Sequence, residues 1–250
     1  MIHYHGGPIT PDSLAAEVWT GRHAFVSYRR PDQLPLAAEV SQSFALDNGA
    51  YSFWMAGEPF DFQGYSELVL EWRGHPAFEF AIAPDAIDGT EEENDRLLRA
   101  WTSDVGRRFD SVPVWHIAES LERLERLVSE WPRVALGSSG IFRRPGSPRW
   151  WGRIHEAMGV ACDGDGRPRC KLHGLRMLDP TIFSHLPLAS ADSTSVARNV
   201  GLDSRWRGGS YQPLGKKARA AVLLSRIESH ASASRYTGSL GVQKNFDLIG

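Results

Sequence analysis

Three acidic residues stand where short apolar runs end and the chain must turn. Asp47 ends one such run, and Asp85 and Asp192 follow two others. In α/β proteins, functional groups lie at the carboxyl ends of parallel strands, so these three side chains are expected to converge on one site. Several carboxylates together suit glycosidic-bond chemistry. One attacks an anomeric carbon and forms a covalent intermediate, while another carries the proton of the leaving group.

Each candidate also has a simpler interpretation. Asp47-Asn48-Gly49 is ordinary turn chemistry, because Asx-Gly pairs are common in turns. Asp85 could cap the helix that follows it, and Asp192 could be the N-cap before Ser193-Thr194. His116 and His173, which also lie near strand ends, are each more typical of hydrogen-bonded core residues. Three acids at three strand ends are nevertheless harder to explain as turns and caps than any one alone.

An alternation of strand-like and helix-like segments is the arrangement that must position these residues. Apolar runs predict eight strands at 1–5, 23–28, 43–47, 78–83, 112–117, 133–136, 169–173 and 186–191. Helices are predicted between them at 11–19, 32–40, 61–72, 90–102, 120–131, 149–159 and from 179, with residues 51–54 as an aromatic loop. Strands alternating with helices indicate a parallel sheet. At 250 residues, the sequence predicts an α/β fold, a closed (β/α)₈ TIM-type barrel over residues 1–200, followed by a basic C-terminal helix (216–229) and tail within 201–250.

Composition excludes several classes of protein. The chain is 42% hydrophobic, yet no run of about 18 apolar residues is present, so no transmembrane helix is expected. The first residues show no signal-peptide pattern. Two cysteines argue against a disulfide scaffold and favour a cytoplasmic protein. Cys162, Cys170 and His173 have unusual spacing for a zinc site, and His3 with His5 is a weak candidate pair, so we predict no metal and no other cofactor.

Charge is unevenly distributed along the chain. Residues 131–250 contain 18 Lys and Arg but 8 Asp and Glu, whereas residues 1–130 contain 10 and 22. One interpretation is an uneven solvated surface. The other is that the second half presents a basic face to a polyanion.

The order of these segments resembles the tRNA-guanine transglycosylase superfamily over residues 40–200. Residues 47–51 (Asp-Asn-Gly-Ala-Tyr) resemble the family's segment with the general acid/base aspartate, and residues 83–85 (Ala-Pro-Asp) resemble its guanine-binding segment. Residues 135–138 and 171–174 resemble its glycine-rich strand end and its Leu-Met-Gly turn. Residues 191–199, with Arg198-Asn199 trailing, resemble the segment that supplies the nucleophile.

This resemblance implies roles for residues of the present sequence. Asp192 is expected to be the nucleophile, Asp47 the proton shuttle, and Asp85 the group that binds the N–H edge of the base. Tyr51 and Trp115 are candidates for stacking on that base. The full set of expected substrate-binding residues is Asp85, Asn48, Gly49, Tyr51, Trp115, His116, Gly137, Ser138, His173 and Gly174.

One departure from the family concerns the substrate. The family's Cys-x-Cys-x-x-Cys zinc cluster is missing, because no cysteine follows Cys170. The chain is therefore more similar to the shorter DNA-guanine transglycosylases, which implies DNA and a free 7-deazaguanine base as partners. The alternatives are the same reaction on tRNA, a hydrolytic base glycosylase, and a non-catalytic nucleic-acid-binding barrel.

Clusters of arginine and tryptophan are the predicted nucleic-acid contacts. Arginine binds phosphate and aromatic rings stack on bases, which is the mixture expected for single-stranded or flipped nucleic acid. A surface loop with one tryptophan packed into the barrel, or a solvated helix face, would give the same composition. The predicted contacts are Arg143, Arg144, Arg149, Trp150, Arg153, Arg198, Arg205, Arg207, Lys216 and Lys217.

Overall fold

A single parallel sheet, curved into a barrel, forms the centre of the protein in a computed structural model that describes residues 1–106, 110–201 and 213–238. The strands are β1 (Ile2–Gly6), β2 (His23–Ser27), β3 (Ser43–Asp47), β4 (Phe78–Ile82), β5 (Ser111–Val112), β6 (Val114–His116), β7 (Arg133–Gly137), β8 (Lys171–Gly174) and β9 (Ser190–Ser193). Their order is β5-β4-β3-β2-β1-β9-β8-β7-β6, and every pairing is parallel. The predicted α/β TIM-type barrel is therefore confirmed.

The fifth predicted strand is split, and the split accounts for nine strands instead of eight. β5 and β6 are separated only by Pro113, which has no N–H to donate to a ladder. β5 pairs with β4 at one edge of the sheet, and β6 pairs with β7 at the other. One short segment thus joins both edges and nearly closes the barrel.

Helices surround the barrel at the predicted places, and two further short helices form where none is predicted, at 50–56 and 195–199. They are α1 (Asp12–Trp19), α2 (Leu34–Val40), α3 (Ala50–Ala56), α4 (Phe62–Trp72), α5 (Glu91–Asp104), α6 (Leu121–Glu130), α7 (Pro148–Ala161), α8 (Pro180–Phe183), α9 (Ser195–Asn199) and α10 (Gly215–Glu228). The expected aromatic loop at 51–54 is wrong, because these residues form most of α3. Gly49 precedes α3 with φ 75°, a left-handed conformation that glycine adopts without a steric penalty.

Side chains alternate between the barrel interior and the layer of helices. Tyr4, Phe25, Phe80 and Val114 fill the interior, where they form a small buried cluster. Strand residues that point the opposite way belong to the larger core between strands and helices. Examples are Phe44, Trp115 and Leu172. This alternation with a period of two decides which strand-end residues can face a ligand.

The C-terminal helix α10 packs on the barrel. Its Ala220, Leu223, Leu224 and Ile227 are buried in the main core. Glu228, in its last turn, accepts contacts from two histidines that project outward from β1, as described below. Among the described residues, no helix combines the length and apolar character needed to cross a membrane.

Candidate active site

A cavity of about 670 Å³ opens at the carboxyl ends of the strands. We call it the barrel cavity. Its volume is within the range of small-molecule sites. The predicted residues that line it are Asp47, Asn48, Tyr51, Asp85, His116, Gly137, Ser138, Asp192 and Arg198. The three acids inferred from strand ends therefore do converge on one site.

Asp47 is the acid with the most perturbed titration. It ends β3 with its side chain toward the barrel interior. Burial, followed by the negative charge of Asp192, raises the pKa of Asp47 to about 7, against smaller lowering contributions from the Ser27 hydroxyl and the Gly49 N–H. A carboxyl group with this pKa can both donate and accept a proton near neutral pH.

Asp85 is held by a buried amide and a buried imidazole. The Nδ2 of Asn48 donates to Asp85 Oδ1 at 2.6 Å and to the carbonyl of Ala83 at 2.8 Å. Nε2 of His116 lies 2.8 Å from Asp85 Oδ2. Burial lowers the pKa of His116, but the contact with Asp85 outweighs burial, so the pKa is raised from its ordinary value. The pair therefore favours a charged imidazole beside a carboxylate.

Below this pair, a buried network fixes the backbone of β6. The N–H of His116 donates to Glu119 Oε2 at 2.8 Å. The guanidinium of Arg123 contacts the same oxygen at 2.5 Å and the Val114 carbonyl at 2.8 Å, and Asn94 donates to Glu119 Oε1 at 2.9 Å. Satisfied charged networks of this kind rigidify a site.

Asp192 is positioned by a backbone N–H and a histidine. The N–H of Arg176 donates to Asp192 Oδ1 at 3.0 Å, and Nε2 of His173 lies 3.3 Å from the same oxygen. Nδ1 of His173 is 2.8 Å from the Ser190 hydroxyl. Burial, opposed by Asp192, lowers the pKa of His173, which keeps the ring neutral at pH 7. Within the described residues both contacts to Asp192 use Oδ1, so Oδ2 is available to a ligand in the cavity.

Four arginines line the cavity above the three acids. They are Arg29, Arg30, Arg176 and Arg198. Arg29 forms an ion pair with Glu58, and Arg30 forms one with Asp32. Arg176 instead lies over the ring of Tyr51, with 5.2 Å between Cζ and the ring centroid. The site thus combines acids on its floor with guanidinium groups at its mouth, a distribution that suits an anionic substrate.

The sequence prediction missed three of these arginines, together with Ser27. All four immediately follow or end strands: Ser27, Arg29 and Arg30 at β2, and Arg176 after β8. Their position at strand ends is the same sequence feature that identifies the three acids. Arg176 adds a second signal, because its φ of 60° is uncommon for a residue other than glycine and such conformations cluster at functional sites.

Four predicted substrate-binding residues do not reach the cavity. Trp115 is fully buried on the outer face of β6, where its Nε1 donates to the Ser120 carbonyl at 2.9 Å, so stacking on a base is excluded. Gly174 also faces outward, against Leu188 and Met177. His173 lies beneath Asp192 instead of beside a ligand, and the role of Gly49 is the left-handed turn before α3.

The predicted nucleic-acid contacts are only partly compatible with the structure. Trp150 is fully buried, with its Nε1 donating to Ser138 Oγ at 2.9 Å, so it is a core residue. Arg153 donates to the carbonyls of Ile117 and Glu119 and is occupied by them.

The remaining contact predictions fall into three groups. Lys217 pairs with Glu17, and Lys216 contacts the Thr10 carbonyl at 3.3 Å, both on the outer side of the barrel near α1. Arg143, Arg144 and Arg149 are exposed but away from the cavity lining. Arg205 and Arg207 lie outside the described residues.

The histidine pair of β1 is used structurally. Nδ1 of His3 lies 3.0 Å from one Glu228 oxygen and Nε2 of His5 lies 2.6 Å from the other. These contacts face α10, on the opposite side of β1 from the barrel interior. In the described part of the chain, no three His, Cys, Asp or Glu side chains are arranged to hold a metal ion.

Comparisons with known proteins support the fold. The sequence matches no protein-family model and no curated protein. Among solved structures, it is similar to a Coccidioides immitis protein assigned as a fructose-1,6-biphosphate aldolase, with a TM-score of 0.52 and 15% identity over 91% of this chain and 87% of that one. It is also similar to a chain of the tryptophan synthase complex of Pyrococcus furiosus, with a TM-score of 0.51 and 10% identity over 91% and 96%. Identities this low establish a shared fold and leave the reaction open.

Proposed function

We propose that the chain is an enzyme that exchanges guanine in DNA for a 7-deazaguanine base through a covalent aspartyl-glycosyl intermediate. The observation that carries this proposal is the convergence of Asp47, Asp85 and Asp192 on one cavity, with the pKa of Asp47 near 7. The resemblance of residues 40–200 to guanine transglycosylases supports the assignment of roles. The resemblance to the DNA-guanine transglycosylases favours DNA over tRNA.

In the first half-reaction, Oδ2 of Asp192 forms a bond to the anomeric carbon of the target nucleotide. The bond between that carbon and guanine breaks, and its electron pair leaves with the base. Asp47 donates the proton that the leaving base needs. A neutral His173 at 3.3 Å and the Arg176 N–H restrain Asp192 without adding a full positive charge that would weaken its attack.

In the second half-reaction, the same groups work in reverse. The incoming 7-deazaguanine loses a ring proton to Asp47, and its nitrogen attacks the anomeric carbon and releases Asp192. Exchange at one site requires the first base to leave before the second enters. Asp85, fixed by Asn48 and His116, retains lone pairs that can accept N–H groups of either base.

Labelled-base exchange tests this assignment directly. Wild-type protein should release radiolabelled guanine from a DNA strand when a 7-deazaguanine is added, and should act poorly on tRNA. Asp47→Asn should slow exchange by about 10²–10⁴-fold, the usual contribution of a general acid or base. Asp104→Asn, which alters an exposed aspartate on α5, is the matched control and should leave exchange unchanged.

The other outcomes distinguish the alternatives. Release of guanine without incorporation of the added base would identify a hydrolytic glycosylase. Exchange on tRNA alone would reverse the substrate assignment. Binding of DNA with no loss of guanine under any condition would leave a non-catalytic barrel.

A further inference from the structure

The short helix α3 exposes an apolar face at the edge of the barrel cavity. Tyr51, Trp54 and Met55 are 46%, 45% and 62% exposed, although large apolar side chains are usually buried. They lie three and four positions apart, so they share one face of the helix. Ring centroids of Tyr51 and Trp54 are 5.8 Å apart. We call these three residues the α3 face.

The α3 face does not help to hold α3 in place. That role belongs to Ala50 and Phe53, which are 6% and 8% exposed. Phe53 packs on Tyr28 and Phe60, with ring centroids 6.1 and 5.7 Å away. A contiguous exposed apolar patch without a packing role is typical of a binding surface.

Position and charge indicate the occupant. Tyr51 and Met55 line the barrel cavity, and Trp54 continues the same face beyond that lining. Arg176 lies over the Tyr51 ring, and Arg198 lines the same cavity. Neither arginine pairs with a carboxylate within the described residues, so both are free to bind an anion. Aromatic rings beside unpaired guanidinium groups are the combination that binds the bases and phosphates of a single strand.

We infer that the α3 face binds unpaired nucleotides next to the target, so that the protein engages single-stranded DNA. This inference rests on the proposed function, because it assumes that the target nucleotide occupies the barrel cavity. With the target there, its neighbour in the strand meets the mouth, where Trp54 offers a ring for stacking. A base paired in an intact duplex has its faces covered by its own neighbours and cannot use that ring.

Fluorescence anisotropy with a labelled 12-nucleotide strand containing one guanine tests the inference. Wild type should bind this strand more tightly than the same strand annealed to its complement. Trp54→Ala should weaken single-strand binding by about 5- to 100-fold, the loss expected for one base–aromatic stack. Trp54→Phe should retain most of the affinity. Leu70→Ala, which shortens an equally exposed side chain on α4, should bind as wild type.

Two results would overturn the inference. One is a dissociation constant for Trp54→Ala within twofold of that for Leu70→Ala. The other is that Trp54→Ala differs from wild type in oligomeric state, measured by light scattering, while its DNA affinity is unchanged. That result would mean that a second copy of the chain covers the α3 face in wild type.

Base exchange is measured on the same samples and separates this inference from the proposed function. At a strand concentration below the dissociation constant, Trp54→Ala should exchange guanine more slowly than wild type, in proportion to its weaker binding, whereas Leu70→Ala should exchange at the wild-type rate. If wild type exchanges no base while Trp54→Ala still weakens binding, the reaction is wrong and the surface assignment holds. If wild type exchanges guanine but Trp54→Ala binds normally, only the surface assignment fails.

Discussion

At the scale of single residues, the acids of the barrel cavity depend on one another and on the side chains behind them. Burial and the charge of Asp192 raise the pKa of Asp47, and Nε2 of His173 lies 3.3 Å from Asp192 Oδ1. Asp47, Asp85 and Asp192 can be found from sequence because each follows an apolar run. The contact between His173 and Asp192 cannot be found from the sequence, because it depends on the register of β8 against β9, which no local pattern determines. Trp115 and Gly174, two expected substrate-binding residues, do not reach the cavity for a simpler reason. Each lies one position along its strand from an inward-facing residue, His116 or His173. Because successive side chains of a strand point to opposite faces, Trp115 and Gly174 face outward.

A prediction at this scale concerns the titration of Asp47. The charge of Asp192 is one of the causes of its raised pKa, so Asp192→Asn should lower the pKa of Asp47 from about 7. Burial, the larger cause, remains, so the value should stay above 3.8. Carbon-13 NMR of the labelled carboxyl carbon measures this. An unchanged pKa would mean that the two acids do not interact across the cavity.

The carboxyl group of Asp47 makes the free energy of unfolding decrease as pH rises. A raised pKa in the folded state means that the folded protein holds a proton that the unfolded chain has lost. The stabilisation is complete below the ordinary pKa of 3.8 and disappears as pH rises through about 7. Between pH 4 and 8, the free energy of unfolding of wild type should therefore fall by about 4 kcal/mol more than that of Asp47→Asn. Urea unfolding across this range measures the difference, and parallel curves for the two proteins would contradict it.

At the scale of elements, the sequence predicts which strands and helices exist and in what order they follow. It does not predict where a strand is interrupted or how a helix is capped. Eight strand runs and the helices between them follow from hydrophobic periodicity, although the eighth strand forms at Ser190–Ser193 instead of the predicted 186–191. Pro113, which divides the fifth run, is visible in the sequence. Its consequence is that the two halves pair with opposite edges of the sheet, and this can be seen only once the barrel is known. The sequence predicts a loop in place of α3, because the aromatic residues there lack the spacing of a helix with a buried stripe. Only Ala50 and Phe53 pack inward.

The junction of β1 with α10 gives a prediction for an element. Both oxygens of Glu228 are contacted by histidines, His3 and His5, on β1. An amide has only one acceptor oxygen, so Glu228→Gln should leave one imidazole N–H without its partner and cost about 1–2 kcal/mol of unfolding free energy at pH 7. Glu17→Gln, at the exposed pair with Lys217, is the matched control and should cost less than about 1 kcal/mol. Equal losses would show that the two histidines do not anchor α10.

At the scale of the whole molecule, the sequence predicts the fold class. The distribution of charge along the chain does not predict where basic groups lie in the folded protein. Alternation and length point to a barrel without reference to any single contact. The excess of basic residues after position 131 suggested one basic face, yet Arg153, Arg219 and Lys217 are occupied by carbonyls or carboxylates. The arginines at the barrel cavity come from both halves of the chain. Net charge along a sequence does not determine where charge gathers in a folded barrel, because the strand ends of both halves meet at one rim.

Trapping of a covalent protein–DNA adduct would show directly whether Asp192 is the nucleophile. Wild type incubated with a radiolabelled guanine-containing single strand, without an incoming base, should give a slowly migrating species on a denaturing gel. Addition of a 7-deazaguanine should discharge it. Asp104→Asn should form the species and Asp192→Asn should not, because only Asp192 supplies the attacking oxygen. An adduct of normal yield in Asp192→Asn, or exchange at the wild-type rate in that variant, would show that Asp192 is not the nucleophile.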